Sequence, residues 1–544
     1  MLQRSAVGRA LRGVAVPVDP LDVDWWREAV IYQVYPRSFA DGDGDGVGDL
    51  RGVIARLDYL NDGSERSLGV DAIWVSPVYP SPMADFGYDV ADHCDVDPLF
   101  GDLATFDLLV RGCHARGIRV LLDFVINHTS DQHPWFVDAR ASRGSPHRDW
   151  YYWRDPAPGG GPPDDWTAVF GGSAWTLDVA TGQYYLHSFL PQQPDLNWEH
   201  PAVVDAMGDV LRFWMARGVD GFRVDAVQQL AKPDIGADAE VVSLIGEGRI
   251  DPRVTGHLRT VRRVLDEFPG RVSIAEAYVP PEELAALYGG AALDAMHLAF
   301  HFEFIRLTAD GAYTPWDAPR MAALLRRTQA ALPPGALPCY ALANHDVPRF
   351  RSRHDADGRG PERARASALF LLGVRGVPCM YAGEEIGMPD VVIPAERRRD
   401  PGGRDGARTP MQWDRSAGRG FTSGHPWLPF GPIEVDVAAQ LDDERSLLSL
   451  YRRAIWLRKA EPALRGGDQA IVHEGASTLA LRRQAPGARP VLLALNTAST
   501  PARVPLDGEF ARVLLASDEH VQLKGEASAR TLVLPALAAA WLVP

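Results

Sequence analysis

Short apolar runs alternate with amphipathic stretches along most of the chain. Seven of these runs end at turn residues and predict buried strands at 29–39, 70–79, 118–128, 221–227, 271–278, 337–346 and 377–387; an eighth, less regular run covers 293–300. Nearly continuous apolar runs are typical of parallel strands covered on both faces. The stretches between them, such as 50–60, 105–117 and 201–218, have the period of amphipathic helices. Eight strand–helix units predict an α/β fold, a (β/α)8 TIM barrel rather than an open doubly wound sheet.

Two regions depart from this rhythm. Residues 129–200 are rich in Trp, Tyr, Gly and Pro, follow the third predicted strand, and indicate an inserted subdomain with little helix. Residues 466–544 contain short alternating strands and predict a C-terminal all-β domain, a β-sandwich. The barrel domain would then comprise 1–128, including an N-terminal extension at 1–23, and 201–465.

The composition and net charge of the chain disfavour several classes of protein. Charged residues are 23% of the 544 residues and the formal net charge is -15, which disfavours binding to nucleic acid through phosphate attraction. No apolar run approaches the ~20 residues of a membrane helix. Arginines interrupt the apolar core that a secretory signal would need near the N-terminus. The four cysteines form no CxxC pattern, so free thiols in a cytoplasmic protein are favoured over a disulfide pair.

Three carboxylates stand at predicted strand ends. Asp225 closes "GFRVD", Glu276 closes "VSIAE" and Asp346 closes "LANHD". Any one of them alone would more often be a cap or an ion-pair partner. Together they would meet at the C-terminal mouth of a barrel, where the chemistry of this fold is located.

The neighbours of two of these carboxylates suggest different protonation states. Arg223 lies two residues before Asp225, so both side chains share one face of a strand, and the guanidinium would keep Asp225 ionised. Glu276 has apolar neighbours that would raise its pKa. One ionised and one protonated carboxyl group are the apparatus of glycoside hydrolysis.

Ten motifs in a fixed order resemble the α-amylase family of glycoside hydrolases, family 13, and within it the α-glucosidase and oligo-1,6-glucosidase branch. They are "DWWREAVIYQVYPRSFADGDGDGVGDL", "SPMADFGYDV", "DFVINHTS", "FGGSAW", "QPDLNW", "GFRVDAV", "AEAY", "NHDVPR", "YAGEEIGM" and "RDGARTPMQWD". The resemblance extends from about Trp25 to the C-terminus.

The resemblance implies a retaining double displacement. Asp225 matches the nucleophile, Glu276 the general acid and base, and Asp346 the third carboxylate, which grips sugar hydroxyls. A glucose pocket closed at one end, and therefore exo action, is implied as well. Its residues match Asp85, Tyr88, His128, Phe170, Phe189, Gln193, Arg223, Ala226, His345, Arg404 and Arg408. Most aromatic residues of the inserted segment also fit a subdomain core.

The residue after the proposed nucleophile bears on linkage. Within this branch, valine there accompanies α-1,6 linkages, whereas a smaller residue accompanies α-1,4 linkages, and this chain has Ala226. We therefore expect α-1,4-glucosides such as maltose and short maltooligosaccharides as substrates, with some overlap to sucrose and α-1,6-glucosides. The other interpretation is that Ala226 is only a packing choice. A glucosyltransferase or sucrose-processing enzyme would share the chemistry up to the glucosyl-enzyme, whereas a non-catalytic binding subunit is disfavoured because all three carboxylates are present.

The segment "DGDGDGVGDL" resembles the first nine positions of an EF-hand loop. Position 12 is Gly52, which cannot chelate, and a predicted strand precedes the loop, so a calcium sensor is excluded. Related enzymes hold one structural Ca2+, or in some cases Mg2+, in such a loop. The ligands would be Asp41, Asp43, Asp45, the carbonyl of Val47, and Asp49. A metal-free turn with solvated aspartates is the alternative.

Overall fold

Eight parallel strands close into a barrel in the computed structural model of the chain. The barrel strands are β1 (Ile31–Val34), β2 (Ala72–Val75), β3 (Arg119–Phe124), β7 (Gly221–Val224), β8 (Val272–Ala275), β9 (Leu298–His301), β12 (Cys339–Ala341) and β13 (Val377–Tyr381). Their order around the barrel is β1-β13-β12-β9-β8-β7-β3-β2. The predicted (β/α)8 barrel is confirmed, and each predicted strand region overlaps one of these strands.

The structure describes residues 18–544 except 20–21, 233–247, 306–307, 310–311, 314–315, 507 and 527–529. Most of the predicted N-terminal extension, residues 1–17 and 20–21, lies outside the described residues.

Helices alternate with the barrel strands. Their ranges are α1 (Pro36–Phe39), α2 (Leu50–Ala55), α3 (Leu57–Leu60), α4 (Leu103–His114), α5 (Pro134–Ala141), α6 (Pro201–Ala216), α7 (Pro252–Leu265), α8 (Pro281–Leu287), α9 (Ala318–Ala331), α10 (Phe350–Arg353), α11 (Gly360–Gly373), α12 (Val437–Leu441), α13 (Leu447–Ala460) and α14 (Pro462–Arg465). The helix expected at 50–60 is divided at Arg56 into α2 and α3. Apolar faces of these helices and the outer faces of the strands form one large buried core.

The segment after β3 carries a small antiparallel sheet of its own. It consists of β4 (Trp153–Arg154), β5 (Trp175–Asp178) and β6 (Gln183–Leu186), in the order β4-β6-β5. Trp166, Trp175 and Tyr184 are buried in its separate core, so these aromatic residues pack the segment rather than face a ligand. An isolated bridge between His128 and Asp195 joins the segment to the end of β3.

The C-terminal region forms antiparallel all-β sheets, as predicted. One sheet has the order β14-β15-β16-β21-β18 and another β17-β20-β19. The strands are β14 (Asp468–Glu474), β15 (Thr478–Gln484), β16 (Val491–Asn496), β17 (Ala502–Pro505), β18 (Arg512–Ala516), β19 (Gln522–Lys524), β20 (Thr531–Leu534) and β21 (Ala539–Val543). A short hairpin within the barrel region pairs β10 (Thr308–Ala309) with β11 (Ala312–Tyr313).

The cysteines are free, as predicted: Cys113, Cys339 and Cys379 are buried and Cys94 is partly exposed. Among the described residues, none of the helices combines the length and the apolar character that crossing a membrane requires.

Candidate active site

A cavity of about 350 Å3 opens at the C-terminal ends of the barrel strands. Ten of the predicted site residues line it: Asp85, Tyr88, His128, Phe170, Phe189, Asp225, Ala226, Glu276, Asp346 and Arg404. The other predicted residues, Gln193, Arg223, His345 and Arg408, are buried beneath or beside this lining. Sequence reasoning missed five lining residues: Val169, Gln228, Gln229, Tyr278 and Gly402.

The barrel register brings the two central carboxylates together. Val224 of β7 pairs with Ala275 of β8, so the next residues, Asp225 and Glu276, emerge side by side. Arg223 precedes them and lies in register with Asp123 of β3 on its other side. The neighbouring strands therefore place three carboxylates around one guanidinium.

Arg223 binds all three of these carboxylates. Its Nη1 donates to Asp225 Oδ1 and to Asp123 Oδ1, each at 2.5 Å, and its Nη2 lies 2.6 Å from Glu276 Oε1. Its side chain is only 1% exposed, so these charges interact with little screening by water. The i,i+2 spacing predicted the contact to Asp225 but not the contacts to Asp123 or Glu276.

The shared guanidinium changes the expected protonation. Burial raises the pKa of Glu276 to about 7 against the lowering effect of Arg223, and the charges of Asp225 and Asp346 add to the rise. Burial also raises the pKa of Asp225 to about 7, although Arg223 opposes it. Arg223 therefore favours the ionised form of Asp225, as expected, but burial opposes this effect more strongly than the sequence predicted, because one positive charge serves three buried carboxyl groups. Burial likewise raises the pKa of Asp123, to about 6, so all three carboxyl groups around Arg223 have raised pKa values.

Asp346 is in the opposite electrostatic situation. Its Oδ1 accepts from Arg404 Nη1 at 2.9 Å and from Arg408 Nη2 at 3.1 Å. Burial acts to raise the pKa of Asp346, but His345, Arg404 and Arg408 together hold it well below its usual range. This carboxylate is therefore ionised throughout the neutral pH range.

A chain of polar contacts lines one end of the cavity. Arg404 Nη2 donates to Asp85 Oδ1 at 2.5 Å, and Gln193 Nε2 donates to Asp85 Oδ2 at 3.1 Å. The same Gln193 nitrogen lies 3.1 Å from His128 Nε2. Burial lowers the pKa of His128, so its ring is neutral and can serve as a hydrogen-bond partner for a hydroxyl group.

Tyr88 and His345 form a stacked pair at the cavity floor. Their ring centroids are 5.4 Å apart with an interplanar angle of 5°, and Tyr88 Oη lies 2.7 Å from His345 Nε2. Gln33 Nε2 lies 2.8 Å from His345 Nδ1, which fixes the ring from the other side. Burial lowers the pKa of His345 to about 3, so the imidazole is neutral. One face of Tyr88 is thus covered by His345, and the phenol still contributes to the cavity wall.

Ala226 adopts a left-handed backbone conformation directly after Asp225. Its φ is 45° and its ψ is 41°, a region that residues with a side chain rarely enter. In this conformation its N–H donates to Glu276 Oε2 at 3.1 Å. The residue predicted to influence linkage therefore touches the predicted general acid through its backbone.

Two aromatic residues of the inserted segment form part of the rim. Phe189 lies 5.2 Å from the ring of His128 and 6.2 Å from the ring of Phe170. The guanidinium of Arg404 lies over Phe170, 5.3 Å from its ring centroid. The inserted segment thus contributes apolar surface beside the charged end of the cavity.

Lys232 links the inserted segment to the barrel through contacts that the sequence did not predict. Its buried Nζ lies 2.6 Å from Asp195 Oδ2 and donates to Asn127 Oδ1 at 2.8 Å and Ser188 Oγ at 3.1 Å. These partners belong to the inserted segment and to the end of β3, next to His128. The ammonium group joins three parts of the chain, and no local sequence pattern indicates it.

Three of the four aspartates of the acidic loop converge. One carboxylate oxygen from each of Asp41, Asp43 and Asp49 lies within 4.8 Å of the others, a set of hard ligands suited to Ca2+ or Mg2+. Asp45 does not belong to this group; its Oδ1 accepts from the N–H of Val47 at 2.7 Å. Hydrogen bonds from backbone N–H groups also reach Asp41 and Asp49.

Comparisons with known proteins agree with this geometry. A model of the alpha amylase catalytic domain matches residues 33–467. The probable alpha-glucosidase of Rhizobium meliloti (strain 1021) is 42% identical over 495 residues, which cover 85% of this chain and 87% of the relative. The oligo-1,6-glucosidase of Parageobacillus thermoglucosidasius is 39% identical over 491 residues, covering 83% of this chain and 86% of the relative.

Solved structures match nearly the whole chain. The alpha-glucosyl transfer enzyme XgtA is 38% identical with a TM-score of 0.86, covering 95% of this chain and 99% of the other. The trehalulose synthase MutB from Pseudomonas mesoacidophila is 33% identical with a TM-score of 0.88, over the same shares of the two chains. Taken with the barrel, its carboxylate-lined mouth and the match over residues 33–467, these similarities establish that the chain belongs to the α-amylase family, glycoside hydrolase family 13.

Proposed function

We propose that the protein is an exo-acting, retaining α-glucosidase that releases glucose from the non-reducing end of short α-1,4-glucosides such as maltose. The observation that carries this proposal is the pair Asp225 and Glu276, bound to the two terminal nitrogens of Arg223 in a cavity of about 350 Å3. The similarity to the probable alpha-glucosidase of Rhizobium meliloti supports the same activity.

Asp225 would act as the nucleophile and Glu276 as the acid. A carboxylate oxygen of Asp225 attacks the anomeric carbon while Glu276 gives its proton to the departing glycosidic oxygen. The ionised Glu276 then takes a proton from water, whose oxygen attacks the same carbon and releases Asp225. Binding of both groups to one guanidinium favours the short separation, about 5–5.5 Å, of retaining enzymes.

The ionised end of the cavity would bind the glucose ring. Asp346 and Asp85 can accept hydrogen bonds from sugar hydroxyl groups, whereas Arg404 can donate. Because these groups also bind one another, they close that end of the cavity. A site with such an end accepts only chain termini, which supports exo action.

Transfer of glucose to another sugar is the second candidate function. It is favoured by the likeness to the alpha-glucosyl transfer enzyme XgtA and to the trehalulose synthase MutB. Cleavage of α-1,6 linkages is likewise suggested by the oligo-1,6-glucosidase relative. The glucosyl-enzyme would be identical in each case, so only the acceptor and the aglycone distinguish these activities.

We also propose that a hard cation, Ca2+ or Mg2+, binds Asp41, Asp43 and Asp49. These carboxylates converge in the loop that follows α1, and a cation would neutralise their repulsion. When bound, the ion would stiffen the loop. It takes no part in the proposed bond cleavage.

Product analysis tests the proposed function. Purified protein is incubated with maltose, isomaltose, sucrose and trehalose at low and high concentration, and the sugars are separated. Glucose release from maltose with little from isomaltose is expected. Rapid isomaltose cleavage with little maltose cleavage would refute the α-1,4 preference, and new oligosaccharides in place of free glucose would favour the transferase.

A further inference from the structure

We propose that Asp400 is a positioning residue, a buried carboxylate that holds Arg404 and Arg408 in place for glucose binding. The inference rests on the proposed function, because it takes the cavity end around Asp346 as the glucose site. Asp400 itself touches no substrate. Its side chain is 0% exposed, and it is absent from the residues that line the cavity.

Asp400 binds Arg404 along one edge of the guanidinium. Arg404 Nε donates to Asp400 Oδ2 at 2.9 Å and Arg404 Nη2 donates to Asp400 Oδ1 at 2.6 Å, which is a bidentate pair. The backbone N–H of Arg404 donates to the same Oδ2 at 2.7 Å. These three bonds fix both the plane of the guanidinium and the start of its side chain.

The remaining donors of Arg404 face the cavity. Nη1 donates to Asp346 at 2.9 Å and Nη2 donates to Asp85 at 2.5 Å. A planar guanidinium that is held along one edge has little freedom to turn, so Asp400 determines where these contacts fall. Arg408 Nη1 also donates to Asp400 Oδ1, at 3.3 Å, while its Nη2 binds Asp346 at 3.1 Å.

Charge balance points to the same role. Arg404 and Arg408 bring two positive charges to a buried region, and Asp346 must remain free to accept hydrogen bonds from the sugar. Asp400 supplies a third carboxylate beside Asp346 and Asp85, and within the described part of the chain the hydrogen bonds to its side chain come from the two arginines. Without it, Asp346 would be drawn more strongly to the two guanidinium groups and would be less available to a ligand.

The local sequence builds this arrangement in five residues. A Cβ atom on Gly402 would lie 3.0 Å from Arg404 Nε and 3.1 Å from Asp400 Oδ2, so a side chain at this position would crowd the ion pair. Gly403 follows with a φ of +74°, in the left-handed region. Asp405 anchors the turn by accepting from the N–H of Asp400. The "DPGGR" turn thus folds Asp400 back onto Arg404.

A purely structural ion pair would stabilise the loop without affecting ligand binding. To separate the two roles, glucose binding is measured by calorimetry on the full chain for wild type and Asp400→Asn. Asp220→Asn is the matched control, because Asp220 is an equally buried carboxylate that pairs with Arg119 at 3.2 Å and Arg271 at 3.5 Å, next to the start of β7. Because partial unfolding would raise the apparent dissociation constant, binding is compared at a temperature well below the melting transition of every variant.

We expect Asp400→Asn to raise the dissociation constant for glucose roughly 10- to 100-fold, and Asp220→Asn to leave it unchanged while lowering the melting temperature. Lysine has no planar guanidinium for Asp400 to orient. In an Arg404→Lys background, Asp400→Asn should therefore raise the dissociation constant for glucose by a much smaller factor than it does in the wild-type background. Unchanged glucose binding in Asp400→Asn, or full additivity of the two substitutions, would overturn the proposal.

If Asp400→Asn yields no folded protein, Asp400→Glu decides the matter. This variant keeps the charge but displaces the carboxylate by one methylene, so weaker glucose binding is expected, and wild-type binding would again overturn the proposal. The binding measurement is independent of turnover. Wild type that binds glucose but cleaves no glucoside would contradict the proposed function and leave the inference on Asp400 intact.

Discussion

The backbone N–H of Ala226 donates to Glu276 Oε2 at 3.1 Å, and it does so from a left-handed conformation with a φ of 45°. A β-branched residue is strained there, at a cost of roughly 1–2 kcal/mol. We expect Ala226→Val to lower stability by about that amount and to raise the ratio of kcat/KM for isomaltose to that for maltose. Ala226→Gly is the control, because glycine tolerates the conformation. An unchanged ratio in Ala226→Val would leave Ala226 as a packing choice only.

Loss of the proposed nucleophile should abolish turnover while the fold persists. We expect Asp225→Asn to lower kcat on p-nitrophenyl α-glucoside at least about 1,000-fold. Asp123 and Glu276 still compensate Arg223 in this variant, so its circular dichroism should match wild type. Asp220→Asn provides the control for a buried aspartate outside the cavity. Activity of Asp225→Asn near the wild-type level would exclude Asp225 as the nucleophile.

The raised pKa of Glu276, the proposed general acid, should appear in the pH profile. Because burial raises the pKa of Glu276 to about 7, kcat/KM should fall as pH rises through about 7 and the acid loses its proton. Removing negative charge at Asp346 lowers the repulsion that helps to raise this pKa, so the alkaline limb of Asp346→Asn should shift to lower pH. A limb that stays in place in that variant, measured on an activated glucoside, would argue against the contribution of Asp346.

Deprotonation of Glu276 should also lower the stability of the fold at alkaline pH. The folded pKa of Glu276 lies above its unfolded value, so its protonated form favours the fold, and that contribution is lost as pH rises from about 4.5 to about 7. Glu276→Gln should therefore be more stable than wild type at pH 8, by about 1–3 kcal/mol, and nearly equal to it at pH 4. Denaturant titrations at both pH values measure this. An equal gain in stability at pH 4 and at pH 8 would instead indicate that the substitution improves packing.

Chelation should loosen the acidic loop without affecting the reaction. If a cation binds Asp41, Asp43 and Asp49, EDTA should lower the melting temperature and added Ca2+ should restore it. Asp43→Asn should show a smaller response than wild type. Asp355→Asn, in another acidic loop where Asp355 caps Gly360 N–H at 2.7 Å, should respond like wild type. Melting curves that ignore both EDTA and Ca2+ would favour the metal-free turn.

Much of this architecture follows from the chain's local patterns. Apolar runs located all eight barrel strands, and strand ends located Asp225, Glu276 and Asp346. Strand boundaries were predicted less accurately where the sequence also carries a helix signal. The apolar run at 29–39 contains a strand of only four residues, which ends at Val34. Pro36 lacks a backbone N–H and begins a helix there.

Contacts between distant segments could not be predicted in this way. Asp123 meets Arg223 only because β3 and β7 are neighbours in the closed barrel, which a linear pattern does not encode. Lys232 binds Asp195 and Asn127, which lie 37 and 105 residues before it in the sequence. Asp400 had a weak local signal, since it lies four residues before Arg404, but only the turn through Gly402 and Gly403 brings the two side chains together.

The three carboxylates around Arg223 have a consequence for the timing of the reaction. Because burial raises the pKa of Glu276 to about 7, Glu276 can carry the proton of the leaving group before the substrate arrives, and the first half of the proposed cycle would then need no proton from bulk solvent. A molecule of solvent becomes a reactant only after the aglycone has departed. In the proposed mechanism, the choice between hydrolysis and transfer would therefore be a kinetic competition at the glucosyl-enzyme stage, decided by which hydroxyl group reaches the deprotonated Glu276 first.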